Sequence, residues 1–247
     1  MTTWIEGRVS GKRHWSQALY SLQIDAPLQD FAAGQFIKLA LEVDGERVGR
    51  PYSLVNAPSE RPLEIYFNEI PEGPLTPKLS ELELGDQIWV ADKASGMFTL
   101  DNVVSRRDLW MLATGTALGV YLSILKTAAP WERFERVILV HGARNAGELS
   151  YGETLAEIQA AHEGSFQYIT ALTRDSSETA LQGRITNLIE NGSIQDKAGI
   201  EINADDSHLM LCGNSAMIKD VRAWLDERGM KRHKRHEPGH YTTEQYH

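Results

Sequence analysis

The feature that most limits how this chain can fold is a change of hydrophobic period near residues 101–107. Before that point, short alternating runs are separated by turn residues: Thr3 to Val9, Gln17 to Ile24, Gln35 to Leu41, Arg47 to Val55, Leu63 to Glu69 and Gln87 to Ala91. A period of two marks half-buried strands, and this spacing predicts a small antiparallel barrel. One short helix is expected inside it, with Thr76 as N-cap, Pro77 in the first helical position and Gly85-Asp86 as its stop. Beyond residue 107, apolar runs alternate with helix-like stretches: Leu109 to Ala113 then Thr116 to Lys126, Val137 to Val140 then Gly152 to Ala161, Phe166 to Leu172 then Arg184 to Asn191, His208 to Cys212 then Ser215 to Arg228. Strand and helix in alternation predict a parallel sheet covered on both faces. The fold expected is therefore two-domain: an antiparallel β-barrel over 1–103 and an α/β parallel-sheet domain over 104–247.

The 247 residues contain a single cysteine, Cys212. An internal disulfide is impossible, and so is a plant-type iron–sulfur cluster, which takes four thiolates. Any redox centre held by this chain is then an organic cofactor, with no metal expected. The net charge of −9 argues against nucleic acid, whose phosphates demand a basic face. Met1 to Ser10 lacks a basic stretch followed by an apolar run, and no segment approaches the roughly 18 consecutive apolar residues of a membrane helix. A cytoplasmic protein with no membrane association, working as a monomer, is the expectation.

Four short motifs carry chemistry. In Arg50-Pro51-Tyr52-Ser53, alternation puts the guanidinium and the phenol ring on one side of a strand, where a flat phosphate-bearing molecule could use both. The same pattern fits a strand edge with a surface arginine and a half-buried tyrosine. Gly73-Pro74-Leu75-Thr76 adds a helix start whose free N–H groups suit a pyrophosphate, or an ordinary capped turn. Thr114-Gly115-Thr116-Ala117-Leu118-Gly119 follows the first strand of the second domain, and Cys212-Gly213-Asn214-Ser215-Ala216-Met217 follows its last. Ligands of parallel sheets collect at the carboxyl ends of strands, so both turns would face one crevice. Arg228, Lys231, Arg232, Lys234 and Arg235 also make a basic island in an acidic chain. It is expected either to dock an acidic protein or to be a solvated helix end.

Taken in order, R-x-Y-S at 50–53, G-x-L-T at 73–76, T-G-T-x-x-G at 114–119, C-G-N-x-x-M at 212–217 and Glu-x-Tyr at 244–246 make the chain resemble the ferredoxin–NADP reductases, specifically the bacterial branch that also serves flavodoxin. The resemblance runs over essentially the whole chain and departs at Gly119-Val120, where the family commonly has Gly-Pro. It implies a barrel that binds FAD, a following domain that binds NADP, and a C-terminal tail that returns to the flavin. It implies hydride transfer from NADPH to FAD and single-electron transfer to ferredoxin or flavodoxin. A related NAD(P)H-dependent flavin reductase or an oxygenase reductase component is the alternative enzyme, and a non-catalytic dinucleotide-binding protein the alternative outside catalysis.

Carried onto this sequence, the resemblance implies that Arg50 meets the flavin phosphates with Pro51 beside it, that Tyr52 stacks on one flavin face, and that the Ser53 hydroxyl lies near the reactive nitrogen. Tyr66, Phe67, Asn68 and Glu69 would line the rest of that site, with Pro74, Leu75 and Thr76 at the pyrophosphate. Thr116 would sit where the cofactors meet, and Arg144, Thr173, Arg174 and Arg184 would hold the NADP phosphates. Cys212 and Glu244 would flank the nicotinamide, Tyr246 would cover the second flavin face, and His247 would add to the cofactor site.

Overall fold

The computed structural model describes residues 2–246, which form two compact units. Of the described residues, the first comprises 2–99 together with 119–127 and the second comprises 100–118 and 128–246. The expected boundary at 103/104 was linear, whereas the chain passes from one unit to the other and back.

In the first unit β1 (Trp4–Ser16), β2 (Leu19–Asp25), β3 (Phe36–Val43), β4 (Glu46–Ser53), β5 (Leu63–Asn68) and β6 (Gln87–Ala91) form one sheet in the order β4-β3-β6-β1-β2-β5. Its ladders are antiparallel throughout. The two edge strands meet through a bridge between Leu54 and Ile65 and a bond from the Val55 N–H to the Glu64 carbonyl at 2.9 Å. That closure removes the open edges a six-stranded sheet would otherwise expose. Inward-pointing Leu22, Ile24, Ile37, Leu39, Leu63, Ile65, Ile88 and Val90 fill the interior and are buried to 1% exposure or less.

The helix α1 (Thr76–Glu81) plugs this barrel with Leu75 and Leu79. Its start differs by one residue from the sequence expectation: Leu75 is the N-cap and makes no side-chain cap bond. The Thr76 hydroxyl is engaged elsewhere, accepting the Ile70 N–H at 2.9 Å and so closing the loop 70–76.

A second helix, α2 (Leu118–Leu125), also belongs to this unit although it follows the first strand of the other sheet. Gly119 lets it approach the barrel closely, because a Cβ there would stand 3.1 Å from Val55 Cγ2 and 3.6 Å from Tyr66 Cβ. The buried Ser123 hydroxyl donates to the Asn56 carbonyl at 2.8 Å, and Lys126 pairs with Glu60 at 3.2 Å.

The second unit carries β7 (Asp108–Thr114), α3 (Ala129–Arg133), β8 (Arg136–Ala143), α4 (Gly152–Ala161), β9 (Phe166–Leu172), β10 (Leu181–Gln182), α5 (Ile185–Glu190), α6 (Ser193–Ala198), β11 (Ser207–Gly213), α7 (Ser215–Asp226) and β12 (Tyr241–Gln245). The sheet order is β10-β9-β8-β7-β11-β12, and every ladder is parallel. Central strands read as unbroken apolar runs because both faces are covered: Leu109 to Ala113 and Leu209 to Cys212 are all fully buried. Three short pieces were not legible as elements, namely α3, α6 and β10, each too short to show a period. The strand β12 was expected only as a tail; its Tyr241 enters the core at 1% exposure. Among the described residues no helix is long and apolar enough to cross a membrane.

Assignment of α2 to the first unit is testable through Ser123. Ser123→Ala leaves a buried carbonyl without that donor and should lower stability by about 1–3 kcal/mol. Urea unfolding of the variant and the wild type, with the m-value unchanged, checks this.

Candidate nucleotide and electron-transfer site

The carboxyl edge of the parallel sheet brings together residues that lie far apart in sequence. Thr114 ends β7 and Gly213 ends β11, and a Cβ on Gly213 would collide with the Thr114 hydroxyl oxygen. With φ at +123° as well, position 213 admits only glycine without strain. The space so released is used for a bond from the Asn214 N–H to the Thr114 hydroxyl oxygen at 2.8 Å. Asn214 then caps α7, its side-chain oxygen accepting the Ala216 and Met217 N–H groups at 2.9 and 3.2 Å. The two motif turns are thus stitched side by side by a backbone-to-side-chain hydrogen bond, with helix starts behind them.

Beside this stitch, the β11–β12 register sets Cys212 directly opposite Glu244 and Gly213 opposite Gln245. The Tyr246 N–H donates to the Gly213 carbonyl at 3.3 Å, which holds the end of the chain at the same edge. Cys212 is wholly buried; burial, with the Glu244 carboxylate adding, pushes its thiol well up, while its hydrogen bond with Tyr246 pulls the other way. The thiol is therefore neutral and not a nucleophile. Burial pushes the Glu244 carboxyl up to about 7, and its Oε2 is buried with no hydrogen-bond partner. An unpartnered carboxyl oxygen at this edge is able to receive or hold a proton at neutral pH. The expected trio Cys212, Glu244 and Tyr246 is brought together; His247 lies outside the described residues.

Further along the same edge stand the predicted arginines. Arg144 follows β8 and Thr173-Arg174 follows β9, and the Arg174 N–H donates to the Arg144 carbonyl at 2.8 Å, so the two backbones run paired past the sheet. Arg184 precedes α5 just after β10, which pairs with β9. Arg144, Thr173, Arg174 and Arg184 are all exposed, and no ion pair engages the three guanidiniums among the described residues. Unpaired guanidiniums at adjacent strand ends are suited to phosphate.

In the barrel unit Arg50 is exposed and bonds its own neighbour, Nη1 to the Gly49 carbonyl at 2.8 Å. Tyr52, two residues on, is half-buried and stands edge-on to Phe67, ring centroids 6.1 Å apart. Burial pushes its phenol up, and the Arg50 charge partly offsets this, as alternation on one strand face requires. Pro51 is exposed and Ser53 half-buried at the end of β4. On β5, Tyr66 and Phe67 are buried on opposite faces while Asn68 is exposed and Glu69 half-buried. Leu75 is core, Pro74 exposed and Thr76 engaged with Ile70, so the three do not make one polar surface. Thr116 lies in a 3₁₀ turn over Gly115–Ala117, started by Gly115 at φ +56°.

The basic island sits elsewhere. Its residues 231–237 form a small reversal bridged at Arg232–Tyr241 and Lys234–Glu237, at the start of β12. Tyr241 and Gln245 stand four residue steps apart along β12, about 13 Å at the usual rise. That segment therefore lies at the opposite end of β12 from Gly213 and Tyr246.

Sequence comparison matches each part of the chain to a known family. Residues 9–94 match the oxidoreductase FAD-binding domain family and residues 111–223 the oxidoreductase NAD-binding domain family. The fold is thus that of a two-domain FAD- and NAD-binding oxidoreductase. The chain is 45% identical over 247 residues, all of both chains, to the flavodoxin/ferredoxin–NADP reductase of Escherichia coli (strain K12). It is 34% identical to the ferredoxin–NADP reductase of Pseudomonas aeruginosa, covering 96% of this chain and 95% of that one. A crystal structure of a ferredoxin NADP+ reductase from Neisseria gonorrhoeae, with bound FAD and NADP, superposes with a TM-score of 0.93 at 29% identity over 98% of each chain. The chain belongs to the flavodoxin/ferredoxin–NADP reductase family, as its ordered motifs implied.

The raised Glu244 carboxyl gives a pH prediction. A folded value of about 7 against an ordinary 4.5 means that the folded protein holds this proton more tightly than the unfolded one. The favourable contribution is complete below about pH 4.5 and is lost as pH rises through about 7. Glu244→Gln carries no such proton, so wild type should lose stability relative to the variant across that window. Denaturant midpoints of both proteins at a series of pH values read the crossing.

Proposed function

We propose that the protein is an FAD-dependent reductase that moves electrons between NADPH and ferredoxin or flavodoxin. The observation that carries this reading is the sheet edge where Gly213 and Thr114 are pinched together beside Cys212, Glu244 and Tyr246. The residues fit the two cofactors. An aromatic ring half-buried at Tyr52 with a cation alongside suits a flavin nucleotide. Turns that carry no Cβ at Gly115 and Gly213, with three uncommitted arginines at neighbouring strand ends, suit NADP.

When bound, FAD supplies the step that protein groups cannot, accepting two electrons together from NADPH and releasing them singly. The chain's own residues bind, orient and manage protons. Arg50 and Tyr52 hold the flavin nucleotide with Pro51 and Ser53 at the strand end, and Tyr66 to Glu69 and Pro74 to Thr76 complete its surroundings. Arg144, Thr173, Arg174 and Arg184 fix the adenosine end of NADPH, which leaves orientation of the nicotinamide to Thr116 and the Gly213 turn. Orientation is worth up to about 7–11 kcal/mol of the activation barrier when the reacting atoms are held in near-attack geometry. Cys212, neutral and wholly buried, offers a small unreactive surface. Glu244 holds or releases a proton at Oε2, the atom that has no partner in the protein. Tyr246 presents a ring at this edge that a nicotinamide displaces to react.

Two experiments test the reading. The purified protein should carry about one FAD per chain, bleach anaerobically with NADPH and then reduce ferredoxin or flavodoxin; a colourless folded protein, or one that retains FMN alone, overturns it. Coenzyme choice should depend on the arginine pair. Charged hydrogen bonds contribute about 1.5–3 kcal/mol each, so Arg174→Ala with Arg184→Ala, net of the solvation of exposed groups, should reduce the NADPH-over-NADH ratio of kcat/KM by about a hundredfold. An unchanged ratio assigns the phosphate elsewhere.

A further inference from the structure

His141 lies wholly buried near the end of β8, directly after the apolar run Val137 to Val140, where no motif drew attention to it. Its Nε2 is 3.1 Å from the Gly115 carbonyl and its Nδ1 is 3.1 Å from the Tyr168 hydroxyl. A carbonyl only accepts, so Nε2 carries the proton and donates it, and Nδ1 must then accept from the tyrosine. This fixes one neutral tautomer. Burial lowers the ring to about 4, which keeps it neutral at physiological pH.

The pairing follows from the ladder. His141 lies opposite Thr170 of β9 and Leu139 opposite Tyr168, so the histidine and the tyrosine share a sheet face on neighbouring strands, diagonally placed. From this end of β8 the ring reaches across to the turn that follows β7.

Gly115 is the origin of the turn that carries Thr116. Its φ of +56° is a conformation in which an L side chain is disfavoured. Its carbonyl also accepts the Leu118 N–H at the end of the 3₁₀ turn. With His141 as the second donor, both lone pairs of that oxygen are occupied and the peptide plane is held from two directions. The Thr116 N–H belongs to this same peptide plane.

We propose that His141, supported by Tyr168, is a positioning residue for the nicotinamide half of NADPH, fixing the Gly115–Thr116 peptide without touching the coenzyme. The inference rests on the functional reading above. It separates the two halves of the coenzyme: the adenosine end, held by Arg174 and Arg184 beyond β9 and β10, is independent of the Gly115 carbonyl.

His141→Leu, His141→Gln and Tyr168→Phe test it, each as the FAD-loaded full chain. Steady-state kcat/KM for NADPH with ferricyanide as acceptor should fall about tenfold in His141→Leu, the loss of one buried hydrogen bond to the turn. Tyr168→Phe should fall by less, and His141→Gln, whose amide can donate to the same carbonyl, should recover most of the rate. Inhibition by adenosine 2′,5′-bisphosphate, which engages only the adenosine end, should stay within about twofold of wild type throughout. A merely structural role lowers thermal stability and weakens both readouts together, or neither, and either result overturns the proposal. If His141→Leu does not fold, Tyr168→Phe carries the same comparison. Wild type that binds no FAD or does not oxidise NADPH would refute the functional reading instead, so the two failures are told apart.

Discussion

The parallel ladder of the second unit is the constraint on which the rest depends. Strands that run the same way end on the same edge, and the turns that leave them converge whatever their separation in sequence. Here that edge carries the Thr114–Gly213 pinch, the Cys212–Glu244 pair and the three arginines. The hydrogen bond from Asn214 to the Thr114 hydroxyl joins two strand ends a hundred residues apart. Glycine at 213 is what lets it form, since any side chain would push the strands apart.

Around this edge, burial does much of the electrostatic work. Glu244 and Cys212 are neighbours in register, and both are pushed toward their neutral forms by loss of solvent. His141 is likewise kept neutral and locked in one tautomer. The guanidiniums, by contrast, stay in water at the far strands. The result is an edge with a desolvated end, where small changes in protonation matter, and a solvated cationic end, where an anion can be attracted and released.

Much of this was legible without coordinates. The change from period two to alternating apolar runs and helices determined an antiparallel barrel followed by a parallel sheet, because side-chain burial on one face or on two leaves different periodicities. Long elements such as α4 and β9 were read with their bounds, and the ordered motifs named the family. What periodicity could not register were pieces shorter than one period, such as β10, and a polar residue at the end of an apolar run. His141 left no trace of its role, since a histidine there reads equally as a core residue.

The sequence by itself determined the fold class, the turn residues and the family, all of which depend on local patterning and on residue identity. Tertiary structure alone decided that α2 packs with the barrel unit, that Thr76 closes a loop and does not cap, and that the basic island lies at the opposite end of β12 from Gly213. It also decided which groups lose their water. Those outcomes depend on what lies opposite a residue in space, and a one-dimensional pattern carries spacing along the chain but not register, closure or desolvation.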